Sequence, residues 1–278
     1  MELLRSNPTE VKQIEKSGIT ITSAPHPGGS FSYDRYKYVF HNGRVIFGFS
    51  DGAGHGLSVL SASERALADS FQFLTQYCSE PESVEKARQQ LELSIKQAAR
   101  SVWKNERAAC TLSIVTFFEG YTIVGWVGDS RVLELNNNYL SVVSIPDSLN
   151  THPYWDTIQM DSPDRLYAAK QQTQMAVDSI TTRKDLRQAS DVEQMFYSQR
   201  KQPGQLLGSK DGSHITVSSI DRVMTSGHEI IVCSDDVCTS VPLQTLKCQL
   251  KLKNDKEIVR AVARGANNDA TIIRIPIK

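Results

Sequence analysis

The chain has 278 residues, of which 40% are hydrophobic, and this is enough for one large domain with a packed core. Lysine plus arginine and aspartate plus glutamate each number 31, so the formal net charge is zero. This balance excludes the strongly basic class of proteins that binds nucleic acid or an anionic membrane surface through overall charge.

Segments rich in β-branched and aromatic residues predict three strands in the first part of the chain, at residues 18–22, 35–40 and 44–50. The His-Asn-Gly sequence between the last two tolerates positive φ and predicts a hairpin turn. Apolar residues at helical spacing then predict two long helices at 57–77 and 81–105. We expect these helices to form an antiparallel pair.

A strand-rich region follows the helices, with predicted strands at 110–118, 121–127, 131–135 and 139–143. The strand pattern is then lost from residue 145 to about residue 205, where proline, Asp, Gln, Ser and Thr are frequent. We interpret residues 145–205 as an inserted, partly helical flap on the surface.

The last part of the chain returns to regular structure. Runs of strands separated by paired helices favour antiparallel sheets covered by helices, an α+β fold, over a strict βαβ alternation. We expect a single domain over residues 1–278. The remaining predicted elements are strands at 214–220, 229–234 and 271–277 and helices at 243–250 and 256–264.

The sequence contains neither a predicted signal peptide nor a predicted membrane span, because residues 1–23 are polar and the longest apolar runs are strand-sized. Its five cysteines are odd in number and scattered, which argues against a disulfide framework. Cys233 and Cys238 are the closest pair, but no second pair completes a zinc site, so we expect buried free thiols. We predict a soluble protein of a reducing compartment, the cytoplasm, and leave delivery into another cell open.

Aspartates follow or precede several of the predicted strands. Asp51 follows one strand and precedes Gly52, and Asp129 and Asp235 each follow another. Asn268 and Asp269 precede the last strand. Strand ends are rigid supports, and oxygen-only ligands suit hard cations such as Mg²⁺ or Mn²⁺. The pattern therefore favours a divalent-metal site over four unrelated turns.

The order and context of these aspartates resemble the PPM (type-2C) family of metal-dependent protein serine/threonine phosphatases. The similar segments are Phe-Gly-Phe-Ser-Asp-Gly-Ala-Gly at 47–54, Gly-Asp-Ser-Arg at 128–131, Ser-Asp at 234–235, Asn-Asp-Ala-Thr at 268–271 and Ser-Tyr-Asp-Arg-Tyr at 32–36. Gly-Asp-Ser-Arg together with Ser-Asp is the most specific part. The similar segments follow one another in the same order as in the family, and the resemblance extends from about residue 18 to residue 277.

The resemblance implies a PPM-type αββα sandwich with two Mg²⁺ or Mn²⁺ ions, and hydrolysis of phosphoserine or phosphothreonine by a water that bridges the metals. It implies that Asp51 bridges both ions and the Gly52 carbonyl holds one of them. Asp235, with Asn268 or Asp269, would hold the other ion. Asp34 occupies the family's upstream aspartate position and Asp129 assists a third metal position, so Asp51, Asp235 and Asp34 are the implied catalytic residues.

Several departures from the family pattern keep a second function open. Asn268 stands at a metal-binding aspartate, Tyr33 replaces an acidic residue, Asp236 replaces a glycine, and Gly29 stands near a phosphate-binding arginine. Arg35 or an arginine of the flap would then have to bind phosphate. The alternative is a pseudophosphatase that binds a partner protein. We expect the enzyme, a monomer acting on a phosphorylated protein, with residues 145–205 beside the cleft and influencing substrate choice.

Overall fold

The computed structural model describes residues 12–16, 18–25, 32–54, 56–106, 108–136, 139–160, 162–199, 205–209, 215–223, 226–266 and 269–277. Within these ranges the strands are β1 Lys12–Lys16, β2 Ile19–Ala24, β3 Arg35–His41, β4 Arg44–Ser50, β5 Gly52–Ala53, β6 Ala109–Cys110, β7 Leu112–Phe118, β8 Tyr121–Val127, β9 Arg131–Leu135, β10 Leu140–Val142, β11 Ser218–Val223, β12 Glu229–Cys233 and β13 Ala270–Pro276. The α-helices are α1 Leu57–Gln72, α2 Val84–Asn105, α3 Asp147–Asn150, α4 Pro163–Ser179, α5 Arg183–Gln188, α6 Asp191–Gln199, α7 Asp235–Ser240, α8 Leu243–Lys251 and α9 Asp255–Ala266.

Two antiparallel sheets pack face to face. One has the strand order β1-β2-β13-β12-β9-β10 and the other β11-β8-β7-β4-β3. The core between them contains the inward side chains Phe47, Phe49, Trp126, Val232 and Ile273, all buried. Because side chains of a strand alternate between its two faces, the opposite faces bury a second set of apolar residues under helices.

The helical layers cover the outer faces of both sheets. Helices α1 and α2 pack on the β11–β3 sheet through apolar residues such as Leu67, Leu91 and Ile95. Helices α8 and α9 pack on the other sheet through residues such as Leu246 and Val259. The predicted α+β class and the αββα sandwich are confirmed.

The predicted helix pair differs from the observed one only at its ends. Helix α1 continues into a π-helical turn, Phe73–Tyr77, which completes the segment predicted as one helix. Helix α2 begins at Val84 because the Ser83 hydroxyl accepts a hydrogen bond from the Lys86 amide, an N-cap that fixes its start. Local capping chemistry thus sets boundaries that hydrophobic spacing alone leaves open.

Three departures from the sequence prediction have a clear physical reason. Strand β1 is a polar edge strand whose pairing with β2 gives no hydrophobic signal, and it was not predicted. Strand β11 begins at Ser218 rather than at residue 214, because it pairs with β8 only from Trp126 back to Tyr121. The segment after β12 forms the short helix α7, too short for its periodicity to be recognised.

Residues 145–199 form helices α3 to α6 and a 3-10 turn, Pro153–Thr157, around a small core of their own. Trp155 and Phe196 stack with ring centroids 5.8 Å apart, and Ile145, Leu149 and Val177 complete this core. The prediction of a partly helical segment is confirmed over these residues. No helix in the described part of the chain combines the length and hydropathy needed to cross a membrane.

All five cysteines are free thiols. Cys110, Cys233 and Cys238 are buried as predicted, but Cys78 is half-buried and Cys248 is exposed, so the prediction was wrong for those two. Cys248 lies on the amphipathic helix α8, whose buried side is formed by Leu243, Leu246 and Leu250. Cysteine identity alone did not reveal which side of this helix it occupies.

Candidate metal centre

Asp51 lies directly after strand β4 and is held by its main chain. Its amide donates a hydrogen bond to Thr111 Oγ1 (3.0 Å), and its carbonyl accepts one from the Thr111 amide (2.8 Å). The Ser50 hydroxyl donates to the Thr111 carbonyl (2.6 Å), and Thr111 Oγ1 also contacts Ser130 Oγ (2.7 Å). Asp51 is therefore fixed to Thr111, which in turn contacts Ser130 of the Gly-Asp-Ser-Arg segment.

Gly52 is the residue that lets this segment pass beneath helix α1. A Cβ atom at this position would lie 2.4 Å from Val59 Cγ1 and 3.2 Å from Tyr33 Cβ, so a side chain is excluded. The Tyr33 hydroxyl accepts a hydrogen bond from the Gly56 amide (3.0 Å) and ties the same turn to the start of α1. The structure thus gives Tyr33 a positioning role in place of the acidic side chain.

Asp34 and Asp269 come together although 235 positions separate them. Asp269 Oδ2 accepts hydrogen bonds from the Ser32 hydroxyl (3.2 Å) and from the Tyr33 amide. Asp34 Oδ2 accepts one from the Thr271 hydroxyl, while its buried Oδ1 receives none from a donor in the described part of the chain. The carboxyl groups of Asp51 and Asp34 are close enough to form a hydrogen bond with each other through one proton. Two carboxyl groups in this position need either a proton or a cation between them.

Asp129 and Asp235 complete the cluster, the first from the turn that joins the two sheets and the second from the end of the six-stranded sheet. Asp129 lies in the turn between β8 and β9, and Asp235 is the first residue of α7, directly after β12. Both interact electrostatically with Asp51 and with each other. Asp236 is buried beside them and Arg131 provides the nearby positive charge. Negative charge from both sheets therefore meets at one edge of the sandwich.

The protein environment raises the pKa of these carboxyl groups. Burial is the largest cause for each, followed for Asp51 by the charges of Asp34, Asp235, Asp129 and Asp269, which raise its pKa well above the ordinary range. Burial and Asp269 raise the pKa of Asp34 to about 7. Burial raises the pKa of Asp129 to about 6 against the opposing effect of Arg131. The pKa of Asp235 is also raised well above 3.8 by burial and by Asp129.

These raised pKa values predict how the metal-free protein responds to pH. The folded state binds more protons than the unfolded state above pH 3.8, so the free energy of unfolding falls as pH rises through about 6 and about 7. In chelator, we expect urea unfolding to show greater stability near pH 5 than near pH 8. Asp51→Asn should weaken this dependence, and a wild-type stability that is flat across this interval would contradict the electrostatic account.

The residues fit a hard divalent cation in their chemistry. The unsatisfied Asp34 Oδ1 and the repelling carboxyl groups would be stabilised by a cation, and the candidate donors are all oxygen atoms. In the described ranges, no three His, Cys, Asp or Glu side chains are close enough to hold one ion by themselves. Mg²⁺ usually takes one or two carboxylates and completes its shell with water and phosphate oxygens. The lack of a three-residue group among the described residues is therefore compatible with a Mg²⁺ site.

Of the predicted site residues, Asp34, Asp51, Gly52, Asp129, Asp235 and Asp269 are brought to this edge, and Asn268 lies outside the described residues. Gly29 lies outside them too. The proposal that Arg35 binds phosphate was wrong. Its guanidinium group is buried, with hydrogen bonds to the Ser32 and Asp34 carbonyls (both 2.7 Å) and to Glu64 (3.2 Å). Arg35 is therefore a structural residue.

The sequence did not reveal how residues 145–199 contact this centre. Arg131 pairs with Asp178 of helix α4 (3.5 Å), and both side chains are almost fully buried. The Gly128 amide donates to Asp147 Oδ2 (2.8 Å), and the Asp147 amide donates to the Gly128 carbonyl (3.1 Å). These contacts hold residues 145–199 against the turn that carries Asp129. No motif marked Asp178 or Asp147, because their partners lie far away in sequence.

The αββα sandwich and the carboxyl groups at its edge are features of a class of metal-dependent phosphatase folds. The sequence model of the family described as protein phosphatase 2C matches residues 27–241. The chain belongs to this family, and the resemblance seen in the motifs is confirmed.

Similar solved structures agree on the fold. A serine/threonine phosphatase from S. agalactiae has 16% identity and a TM-score of 0.66, covering 94% of this chain and 99% of that one. Stp1 from Staphylococcus aureus has 13% identity and a TM-score of 0.67, covering 97% and 99%. The catalytic domain of PstP, solved with two manganese ions, has 14% identity and a TM-score of 0.60, covering 92% and 96%. No curated protein sequence matches this chain.

Proposed function

We propose that the protein is a metal-dependent phosphatase that removes phosphate from phosphoserine or phosphothreonine in proteins. The observation that carries this proposal is the meeting of Asp34, Asp51, Asp129, Asp235 and Asp269 at one edge of the sandwich. Packed carboxyl groups repel one another and raise each other's pKa, which lowers the stability of the metal-free protein. Such a cluster therefore points to a site that binds a cation. Family membership and the PstP structure with two manganese ions give independent support.

Each residue then has a role that follows from its position. Asp51, at the centre of the electrostatic cluster, would contact both ions, and the Gly52 carbonyl would hold one of them. Asp235 would hold the other ion, and Asp269 is the described candidate beside it. When bound, two Mg²⁺ or Mn²⁺ ions activate water and neutralise the charge of the phosphoryl group. Asp34 orients this edge through Thr271 and Asp51.

The proposed substrate is a phosphorylated protein, and the proposed form is a monomer of the cytoplasm. The neutral overall charge gives no attraction for nucleic acid. Helices α3 to α6 lie next to the Asp129 turn through Asp147 and Asp178, where a bound peptide would extend. We propose that this insert selects substrates, because specificity usually lies in segments carried on a rigid sheet.

A binding protein of the same fold without turnover is the second candidate. Asp236 and Tyr33, which stand at positions that depart from the family pattern, favour it. The opposing observation is that several carboxyl groups still repel Asp51. A protein without catalytic activity would have no physical need to keep these destabilising charges together.

One assay separates the two candidates: hydrolysis of an aryl phosphate with Mn²⁺, with Mg²⁺ and with chelator. We expect turnover with metal and none with chelator, because the carboxyl groups alone cannot activate water. Thermal melts of the same samples should show a higher midpoint with millimolar Mn²⁺, since binding to the folded state relieves repulsion. Metal stabilisation without turnover of either an aryl phosphate or a phosphopeptide would favour the binding protein.

A further inference from the structure

Two buried thiols enclose the candidate metal ligand Asp235 in the sequence. Cys233 is the last residue of strand β12, and Cys238 lies in helix α7. Their sulfur atoms are 3.7 Å apart, and both cysteines are free. Asp235, Asp236 and Val237 form the beginning of α7 between them. Closing the gap between these sulfur atoms by a backbone movement, rather than by side-chain rotation alone, would act on the segment that carries Asp235.

We propose that Cys233 and Cys238 form a reversible disulfide that displaces Asp235 and weakens metal binding at this centre. The proposal concerns regulation of the site and rests on the proposed function for its effect on catalysis. A disulfide requires sulfur atoms about 2.05 Å apart, so the pair must close by about 1.7 Å. Side-chain placement at a metal site tolerates only about 0.5 Å, and this closure exceeds that limit.

The surrounding contacts determine which side of the pair moves. Cys233 lies within β12, which is paired on both sides, with β9 and with β13. The Ser234 amide donates to the Thr271 carbonyl (3.2 Å), and the Ser234 hydroxyl accepts from the Thr271 amide (3.1 Å). Helix α7 is only six residues long. Closure therefore draws Cys238 and the first turn of α7 toward the sheet, and Asp235 moves with them.

A small cavity lies against Cys238 and offers a place for an oxidant. It has a volume of about 130 Å³, and its lining includes Cys238 and Thr239 of α7 and Asp178 and Tyr197 of the insert. This volume holds several water-sized molecules, so hydrogen peroxide fits. The sulfur contact with Cys233 and burial raise the pKa of Cys238, so oxidation is slower than at an exposed thiol. The pair would respond to sustained rather than brief exposure to peroxide.

The chemistry balances with hydrogen peroxide as the oxidant. The Cys238 sulfur attacks the peroxide, the O–O bond breaks, and a sulfenic acid and one water form. The Cys233 sulfur then attacks the sulfenic sulfur, the S–S bond forms, and the S–O bond breaks to release a second water. Two thiols lose two electrons and two protons in total, and one peroxide is reduced to two waters. A dithiol reductant reverses the change by exchange.

The test uses the full chain carrying Cys248→Ser, which removes the exposed thiol. After peroxide treatment, we expect an intact mass lower by about 2 Da and a peptide pair linked through Cys233 and Cys238. The rise in melting midpoint caused by Mn²⁺ should become clearly smaller. Mn²⁺-dependent aryl phosphate hydrolysis should fall by about tenfold or more, the scale that disturbed ligand support produces. Dithiothreitol should restore all three.

Matched variants separate the disulfide from general oxidative damage. Cys238→Ser and Cys238→Ala, each in the Cys248→Ser background, should keep their Mn²⁺-induced stabilisation and activity after the same treatment. Failure of the linked peptide to form, or a disulfide-linked protein that Mn²⁺ stabilises as well as the reduced one, overturns the inference. A reduced protein that Mn²⁺ stabilises without hydrolysis refutes the proposed activity, while a smaller stabilisation after oxidation still supports the switch.

Discussion

Asp51→Asn is expected to lower turnover at least a hundredfold, which corresponds to about 3 kcal/mol of transition-state stabilisation. Asp51 interacts electrostatically with Asp34, Asp235, Asp129 and Asp269, so it is the residue whose charge would be shared by both ions. The amide removes that charge while its size keeps the packing at the end of β4. The measurement is the steady-state rate of aryl phosphate hydrolysis with saturating Mn²⁺.

Three comparisons control this result. Asp129→Asn should cost less, because Asp129 is proposed only to assist a third metal position. Asp235→Asn should resemble Asp51→Asn but recover partly with added Mn²⁺, since it would hold one ion. The metal-free Asp51→Asn protein should be at least as stable as the wild type, because a repelling carboxyl group is lost. Robust activity in Asp51→Asn would show that the site is assigned wrongly.

Asp178→Asn is expected to destabilise the fold by about 3 kcal/mol, the loss typical when one partner of a buried ion pair is removed. Arg131 is almost fully buried, and its Nε and Nη1 atoms have no hydrogen-bond partner within the described ranges. Asp178 supplies the charge 3.5 Å from Arg131 Nη2 and is itself held by a hydrogen bond from Gln174 (2.7 Å). Urea unfolding with and without Mn²⁺ measures the loss.

Asp164→Asn is the matched control on the same helix. Asp164 is exposed in the first turn of α4, and an exposed substitution there should change stability by no more than about 0.5 kcal/mol. We also expect Asp178→Asn to weaken Mn²⁺ binding, because Arg131 would be left to pair with Asp129 and Asp235. Equal stability of the two variants would mean that the Arg131–Asp178 pair does not link the insert to the metal centre.

The sequence predicted the parts of this protein that depend on local pattern. Alternating and continuous apolar runs identified most strands, since one or both of their faces are buried. The aspartates at strand ends identified the edge of the sandwich, because strand ends carry side chains on rigid supports. Asp34 was placed only through the family resemblance, and the structure accounts for its position through its hydrogen bond from Thr271.

Features set by distant contacts could not be predicted. Strand β1 is polar and exists because it pairs with β2, and α7 has only six residues to show a period. Asp178 carries no signal in its own segment, although its partner Arg131 lies in a recognised motif. Sequence alone also did not show the contacts of Arg35. Its charge suggested phosphate binding, but its guanidinium group donates hydrogen bonds to backbone carbonyls.

The separate core of residues 145–199 has a consequence for the dynamics of the protein. Trp155, Phe196 and Val177 pack with one another in a cluster distinct from the three of the sandwich, and Tyr167 contacts both this cluster and the core between the sheets. A segment with its own core can open as a cooperative unit at a lower free energy than global unfolding. Its amide protons should therefore exchange with solvent as one group, earlier than those of β12 and β13. Such sub-global opening would expose the Asp129 turn to large substrates while the strands that support Asp51 and Asp235 stay closed.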